Sequence, residues 1–482
     1  MDYNNNVRNV YHGLKVRIIE SFLRNNLVET IDRMPIEMRP EGSETSRCCI
    51  YKSRALIKYR AMAILGFGKE DETDELTPLS EYASQALRRK EISKKVLTII
   101  DPACSGCMAA HYYVTNACKG CMARPCVVNC PKKCIVMLDG QSRIDNEQCI
   151  RCGKCQEVCP YHAIVRIPIP CEEACPVSAI HKDEKGKAEI DFSKCIYCGR
   201  CVSVCPFGAI AERSQLLDIL RAFGSGKRVH ALPAPAITGQ FEGGLFRIIS
   251  ALKRIGFYAV EEVALGADEA ARREAKEFLR KRREGLRFMT TSCCPAYMQA
   301  AHKIIPSILP FISGTPSPLQ LAALRVKERD KEALTVFIGP CVAKRREAID
   351  YKGVDYYMTF EELNSLFGAQ GIEVSKQPEE KPEFCASDYG RGFPLKGGVI
   401  AAILKHLPDG EKIETISVNG LNKSSLRQLQ SYAAGNCPAS LIEVMNCEGG
   451  CVNGPAIFAP VAKAKDRIEA MLGKAGDQNA CP

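Results

Sequence analysis

The chain has 482 residues, 46% hydrophobic and 25% charged, with no tryptophan. That is too long for one small domain and too apolar for a disordered chain. A formal charge of +10 would suit a nucleic-acid partner, but no basic stripe interleaved with aromatic residues is present, so neither nucleic acid nor membrane is expected as a partner. No run approaches the roughly 18 apolar residues of a membrane span. The opening segment MDYNNNVRNVYHGLKVRIIE lacks the apolar core and small-residue cleavage site of a secretory leader. The decisive feature is 27 cysteines: two before residue 100, seventeen between Cys104 and Cys205, and eight beyond. In a cytoplasmic chain, clustered thiols point to metal and not to a disulfide scaffold.

Residues 1–100 are expected to be mostly helical, with helices over 53–65 and around 79–96 separated by the acidic break 69–76. Cys48 and Cys49 have no ligand-like spacing and read as ordinary thiols. Residues 101–213 are short on helix and rich in Cys-Pro turns. From 214 to 482 the pattern alternates: a linking helix over 215–223, buried strands at 228–232 and 335–338, and a charged amphipathic helix over 267–284. The fold class is therefore multidomain α+β and α/β. The last fifteen residues read as a fraying tail.

Two segments repeat one template, Cys149-x2-Cys152-x2-Cys155-x3-Cys159-Pro160 and Cys195-x2-Cys198-x2-Cys201-x3-Cys205-Pro206. This is the run of bacterial-type ferredoxins, in which three thiolates wrap one [4Fe–4S] cube and the fourth serves a neighbouring cube. Zinc would instead take two distant C-x2-C pairs. A looser run, Cys118-x2-Cys121-x4-Cys126-x3-Cys130-Pro131, completes one module. Cys118, Cys121, Cys126 and Cys159 hold its first cube; Cys149, Cys152, Cys155 and Cys130 hold its second. Cys171-x3-Cys175-Pro176 carries the Pro-x-x-Ala-Ile tail that also follows Cys159 and Cys205, so it is the back half of another motif. Its front half is Cys104-x2-Cys107. The expectation is a split motif, one ferredoxin module inserted into another. Cys195, Cys198, Cys201 and Cys175 would hold a third cube, and Cys104, Cys107, Cys171 and Cys205 a fourth. Cys134 is left over, and Cys385, Cys437 and Cys481 have no assignment.

Four cubes form an electron wire, and the region beyond residue 213 must use it. Three segments there set cysteine among small residues: Thr291-Ser-Cys293-Cys294-Pro295, Gly339-Pro340-Cys341-Val-Ala-Lys344, and Glu443-Val-Met445-Asn-Cys447-Glu-Gly-Gly-Cys451. Thiolates so scattered suggest a buried site assembled from loops. In order and spacing the segments resemble the signature loops of [FeFe]-hydrogenases, over about residues 214–460, and the upstream modules fit the same family.

The resemblance implies a large catalytic domain in which Cys294, Cys341, Cys447 and Cys451 hold the cube of the H-cluster. Cys451 would bridge to a two-iron unit bearing carbon monoxide, cyanide and a bridging dithiolate with a bridgehead amine. Lys344 would bond a cyanide, Met445 would pack on the two-iron unit, and Ala234 and Pro235 would lie beside it. Cys293 would pass protons, fed by Glu277, Ser313 and Glu274, with Lys281 at the outer end. With five cubes at about −2 each, the net charge would approach zero. The implied activity is reversible H2 oxidation and proton reduction, with a ferredoxin-type electron carrier and dedicated maturation proteins as partners. Two alternatives stand beside it: a low-turnover H2 sensor, and an iron–sulfur carrier or assembly factor without the two-iron unit. Retention of Cys293 and Lys344 favours the enzyme.

The chain also departs from the family pattern. Gly339 replaces a methionine, Val342 a threonine and Ala236 a serine. Val-Asn-Gly454-Pro455 follows Cys451 in place of a longer glycine run, and the segment before Cys293 is one residue short. These changes spare the ligands and alter their surroundings, which sets potential and gas sensitivity. The pattern suits a less-studied branch of the family.

Overall fold

The computed structural model describes residues 6–44, 48–104, 107, 111–351, 353–408 and 412–474. Its N-terminal part is helical, with Asn6–Leu23, Ile50–Ile64 and Leu79–Arg88 as its longest helices. The helix expected over 79–96 stops at Arg88. Arg89 turns extended and donates to Asp218 Oδ1 (2.8 Å) and to the Leu65 carbonyl (2.7 Å). The chain then has to run straight, because Leu97–Ile99 is a strand paired antiparallel with Ile210–Glu212. Arg60 donates to the Phe207 carbonyl (3.0 Å), Arg213 pairs with Asp71 (2.7 Å), and Arg8 reaches the Ile457 carbonyl (3.1 Å). The N-terminal helices therefore strap both later regions together.

The cysteine-rich region is nested. The outer pair Leu97–Ile99 and Ile210–Glu212 encloses an inner pair, His111–Val114 and Ile164–Ile167, also antiparallel. Each pair has its own hairpin: Ile180–Lys182 with Ala188–Ile190 for the outer, Ile135–Leu138 with Gln141–Ile144 for the inner. Short helices, Pro125–Val128, Lys154–Glu157, Pro170–Ala174 and Arg200–Val204, complete two equivalent units.

Beyond residue 214 the fold is α/β. One parallel sheet runs Ala259–Val260, Val229–Pro233, Leu334–Gly339, Tyr356–Thr359; a second runs Met289–Thr290, Leu441–Met445, Thr415–Asn419. Val229–Pro233 and Leu441–Met445 are buried at every position, as parallel strands covered on both faces must be. The expected helix over 267–284 is Val263–Arg283, with Ala267, Ala270, Ala271, Glu274, Ala275 and Phe278 buried. That spacing is one helical stripe, so Glu274 faces the core. The expected frayed tail needs correction: Val461–Lys474 is a helix with Ala464 and Ile468 buried, and Arg467 donates to the Gly239 carbonyl (3.2 Å). Cys481 and the rest of the tail lie outside the described residues.

Candidate functional site

Each cysteine loop leaves the carboxyl end of a parallel strand, where α/β sheets open their crevice. Met289–Thr290 leads to Cys293 and Cys294, the latter capping Pro295–Lys303; Leu334–Gly339 leads to Cys341, capping Val342–Asp350. Leu441–Met445 leads to Cys447 and Cys451. Between those two, Gly450 has φ 101°, and a Cβ there would lie 2.2 Å from the Pro394 carbonyl oxygen; only glycine fits. Ala234 and Pro235 follow the adjoining strand Val229–Pro233, with Ala234 N–H donating to the Ile338 carbonyl (2.8 Å) just before Cys341's loop.

The Cys341 loop has a clamp that the sequence did not disclose. The buried Tyr357 hydroxyl accepts from Cys341 N–H (3.1 Å) and stands 2.8 Å from the Cys341 carbonyl and 3.1 Å from that of Gly339. At Gly339 a Cβ would meet the Phe337 ring at 2.6 Å, which explains the glycine. Tyr357→Phe leaves buried backbone groups unpaired and is expected to lower stability by about 1–3 kcal/mol, read from denaturant midpoints.

Cys294, Cys341, Cys447 and Cys451 converge. Burial, then the fields of Cys447, Cys294 and Cys451, push the Cys341 thiol well above its ordinary range. Burial, then Cys451 and Cys294, do the same to Cys447; burial and Cys294 lift Cys451 to about 12 even against Lys344. A cationic metal bound among such thiols would offset their mutual repulsion and hold them as thiolates. Among the described residues no three Cys, His, Asp or Glu side chains close on a single ion position. Four thiols brought together from three loops fit an iron–sulfur cube. Met445 packs in the same apolar cluster as Cys293, Cys294 and Cys451. The buried Lys344 ammonium lies 2.6 Å from Glu347 Oε2, yet its Nζ has no aligned hydrogen-bond partner. Burial lowers its pKa, but Glu347, Cys293 and Cys341 outweigh that and keep it charged. A cation held beside these thiols by Glu347 suits a further anionic group.

Behind Cys293 lies a chain of acids and hydroxyls. Ser313 Oγ donates to Glu277 Oε2 (2.7 Å), Gly314 N–H to its Oε1 (2.9 Å), and Lys281 pairs with it at 2.8 Å. Burial raises the Glu277 pKa, but these partners outweigh it and hold the carboxyl below its usual range. Glu274 is fully buried; burial, with Glu277 nearby, lifts it to about 7 against hydrogen bonds from Ser292 and Ser313. Ser292, which the sequence reading missed although it adjoins Cys293, donates to Glu274 Oε1 through N–H (3.1 Å) and stands 3.3 Å away through Oγ. Burial and the Glu274 charge push the Cys293 thiol well above normal.

Because the Glu274 pKa is raised on folding, its favourable contribution is complete below about pH 4.5 and is lost as pH rises through 7. Relative to the wild type, Glu274→Gln is expected to gain about 3 kcal/mol between those limits. Unfolding midpoints at pH 5 and pH 8 measure this; an unchanged difference would mean the carboxyl is ionised while buried.

The upstream thiols form four groups. Cys118, Cys121, Cys126 and Cys159 line one cavity; Cys130, Cys149, Cys152 and Cys155 line a second, joined by Cys134; Cys175, Cys195, Cys198 and Cys201 line a third. Burial and the fields of Cys205, Cys104 and Cys107, against Lys182, lift Cys171 to about 11, gathering the fourth group. The third group abuts the cysteine loops of the α/β region. Arg200 donates to the Asn446 carbonyl (2.7 Å), Lys303 to that of Cys195 (2.7 Å), and Cys198 acts on Cys447. A Cβ on Gly199 would meet Val342 at 2.6 Å and Pro455 at 2.7 Å. Cys437, by contrast, spends its thiol on the Ala439 carbonyl (3.1 Å).

Three family models match the chain: iron only hydrogenase large subunit, C-terminal domain, over residues 227–455; LdpA Fe-S cluster-binding domain over 166–216; and 4Fe-4S binding domain over 142–165. The periplasmic [Fe] hydrogenase large subunit of Nitratidesulfovibrio vulgaris is 28% identical over 68% of this chain and 90% of its own length. Iron hydrogenase 1 of Clostridium pasteurianum is 26% identical over 51% of this chain and 53% of its own. Cytosolic iron-sulfur assembly component 3 of Bos taurus is 24% identical over 46% and 59%. The chain thus spans most of the first relative and little more than half of the other two. Residues 227–455 thus form an iron-only hydrogenase large-subunit domain, preceded by ferredoxin-type iron–sulfur domains.

Proposed function

We propose that this chain is an [FeFe]-hydrogenase that interconverts H2 with protons and electrons, passing the electrons through four [4Fe–4S] cubes to a ferredoxin-type carrier. The observation that carries this reading is the convergence of the half-buried Cys294, Cys341, Cys447 and Cys451, with Lys344 and Cys293 at their edge. These four thiols would hold the cube, and Cys451 would also anchor the two-iron unit, which when bound supplies the Lewis acid for splitting H2. Lys344 Nζ would meet its anionic ligands, and Met445 would exclude water. Cys293 would hand a proton to Ser292 and Glu274, which faces Ser313 and Glu277; Lys281 would keep the outer carboxylate ionised and ready to accept. Electrons would cross at the Cys198–Cys447 approach. Free thiols in this number suit the cytoplasm. Among the described residues no helix is long and apolar enough to cross a membrane.

Iron–sulfur assembly proteins stand among the relatives, so the test must separate the two activities. After maturation the protein is expected to show infrared bands of bound carbon monoxide and cyanide and to evolve H2 from a reduced viologen. A matured chain with its cubes but without those bands would be a carrier or assembly factor. A chain with the bands and only trace turnover would be a sensor. The relay itself calls for about sixteen irons beyond the catalytic cluster; about eight fewer would remove the split outer module from the scheme.

A further inference from the structure

We propose that the second cavity is a five-thiol site in which Cys134 is a spare ligand, able to take the iron that Cys130 otherwise holds. This rests on reading the cavity as a cube site. Four Cys-Pro tails in the chain share one conformation. The third residue of each is left-handed, at φ 50° for Lys133, 49° for His162, 52° for Ser178 and 56° for Gly208. The next residue is a buried alanine in three of them, with its N–H pointing at the cysteine sulfur: Ala163 to Cys159 (3.4 Å), Ala179 to Cys175 (3.2 Å), Ala209 to Cys205 (3.3 Å). In the fourth tail that position is Cys134.

Packing alone does not call for sulfur there, since a methyl group fills the equivalent space three times. Cys134 is 5% exposed, and its Sγ lies 3.5 Å from that of Cys130. Both line the cavity they share with Cys149, Cys152 and Cys155. Its backbone is pinned by Asp145 N–H donating to its carbonyl (2.8 Å), so a turn of the side chain alone exchanges one sulfur for the other. Cys130 is the more exposed of the two, and exposed thiolates oxidise first. The inner thiol would then keep the fourth iron from being lost when Cys130 is.

The test uses the full chain, reconstituted anaerobically, with iron and acid-labile sulfide counts and the EPR signal of three-iron clusters as readouts. Cys130→Ala and Cys134→Ala are each expected to keep the wild-type iron count and to give no three-iron signal. The double variant, and the control Cys159→Ala whose tail carries Ala163, are expected to lose the fourth iron or the whole cube. Cys130→Ala behaving like Cys159→Ala would overturn the proposal, as would loss of the cube in Cys134→Ala alone, which would make Cys134 the resident ligand. Wild-type protein lacking this cube altogether would instead overturn the cluster assignment beneath it.

Discussion

Cys341→Ala is expected to abolish H2 turnover and to erase the carbon monoxide and cyanide infrared bands, while the irons of the relay stay in place. The reason is positional. Cys341 is held by the Tyr357 clamp at the head of Val342–Asp350 and shares its surroundings with Cys294, Cys447 and Cys451. Removing it leaves three thiols for a cube that needs four. A full enzymatic acceleration of at least about 10⁶-fold depends on the site, so residual activity should be indistinguishable from background. Cys437→Ala, whose thiol is engaged elsewhere, is expected to match the wild type. Turnover in Cys341→Ala above a tenth of the wild-type rate would disprove the four-thiol site.

The second large effect concerns protons. Cys293→Ala is expected to slow turnover by about 10²–10⁴-fold with the infrared bands intact, since the thiol is beside the ligand set without belonging to it. The acids that act on it most strongly are Glu274 and, more weakly, Glu443, and Glu443 is tied to backbone N–H groups of Gly397, Val399 and Ile400. That leaves Glu274, reached through Ser292, as the exit. Ser292→Ala should slow turnover less, because Ser292 N–H still orients the carboxylate. Loss of the bands in Cys293→Ala would make it structural; unchanged turnover would move the proton route elsewhere.

The parts of this site that the sequence disclosed are those where chemistry forces spacing. A cube demands thiolates at short fixed intervals, so the ferredoxin runs and the pairing of Cys175 with Cys195, Cys198 and Cys201 could be written down beforehand; the shared Pro-x-x-Ala-Ile tails even exposed the nesting. Glu274 and Glu277 came from the family resemblance, which their i, i+3 spacing on a long amphipathic stretch fitted. What stayed hidden was held by tertiary contact. Nothing near Tyr357 marks it as a clamp on a loop sixteen residues away, and Glu347 reads as an ordinary helix acid until Lys344 is seen against it. The end of the helix at Arg88 was set by a strand partner more than a hundred residues distant. Cys134 was visible as a surplus thiol, but its meaning needed the four tails overlaid in space.

The nesting also sets how the relay can change in length. His111 stands opposite Ile167 in an antiparallel pair, so the inner unit departs and returns at points about 5 Å apart. A tight turn could close that gap, leaving the outer strands, their hairpin and the contact with the α/β region's cysteine loops undisturbed. The inner unit is in that sense a cassette: splicing it out would remove two of the thiol-lined cavities without touching the cysteine loops of the α/β region.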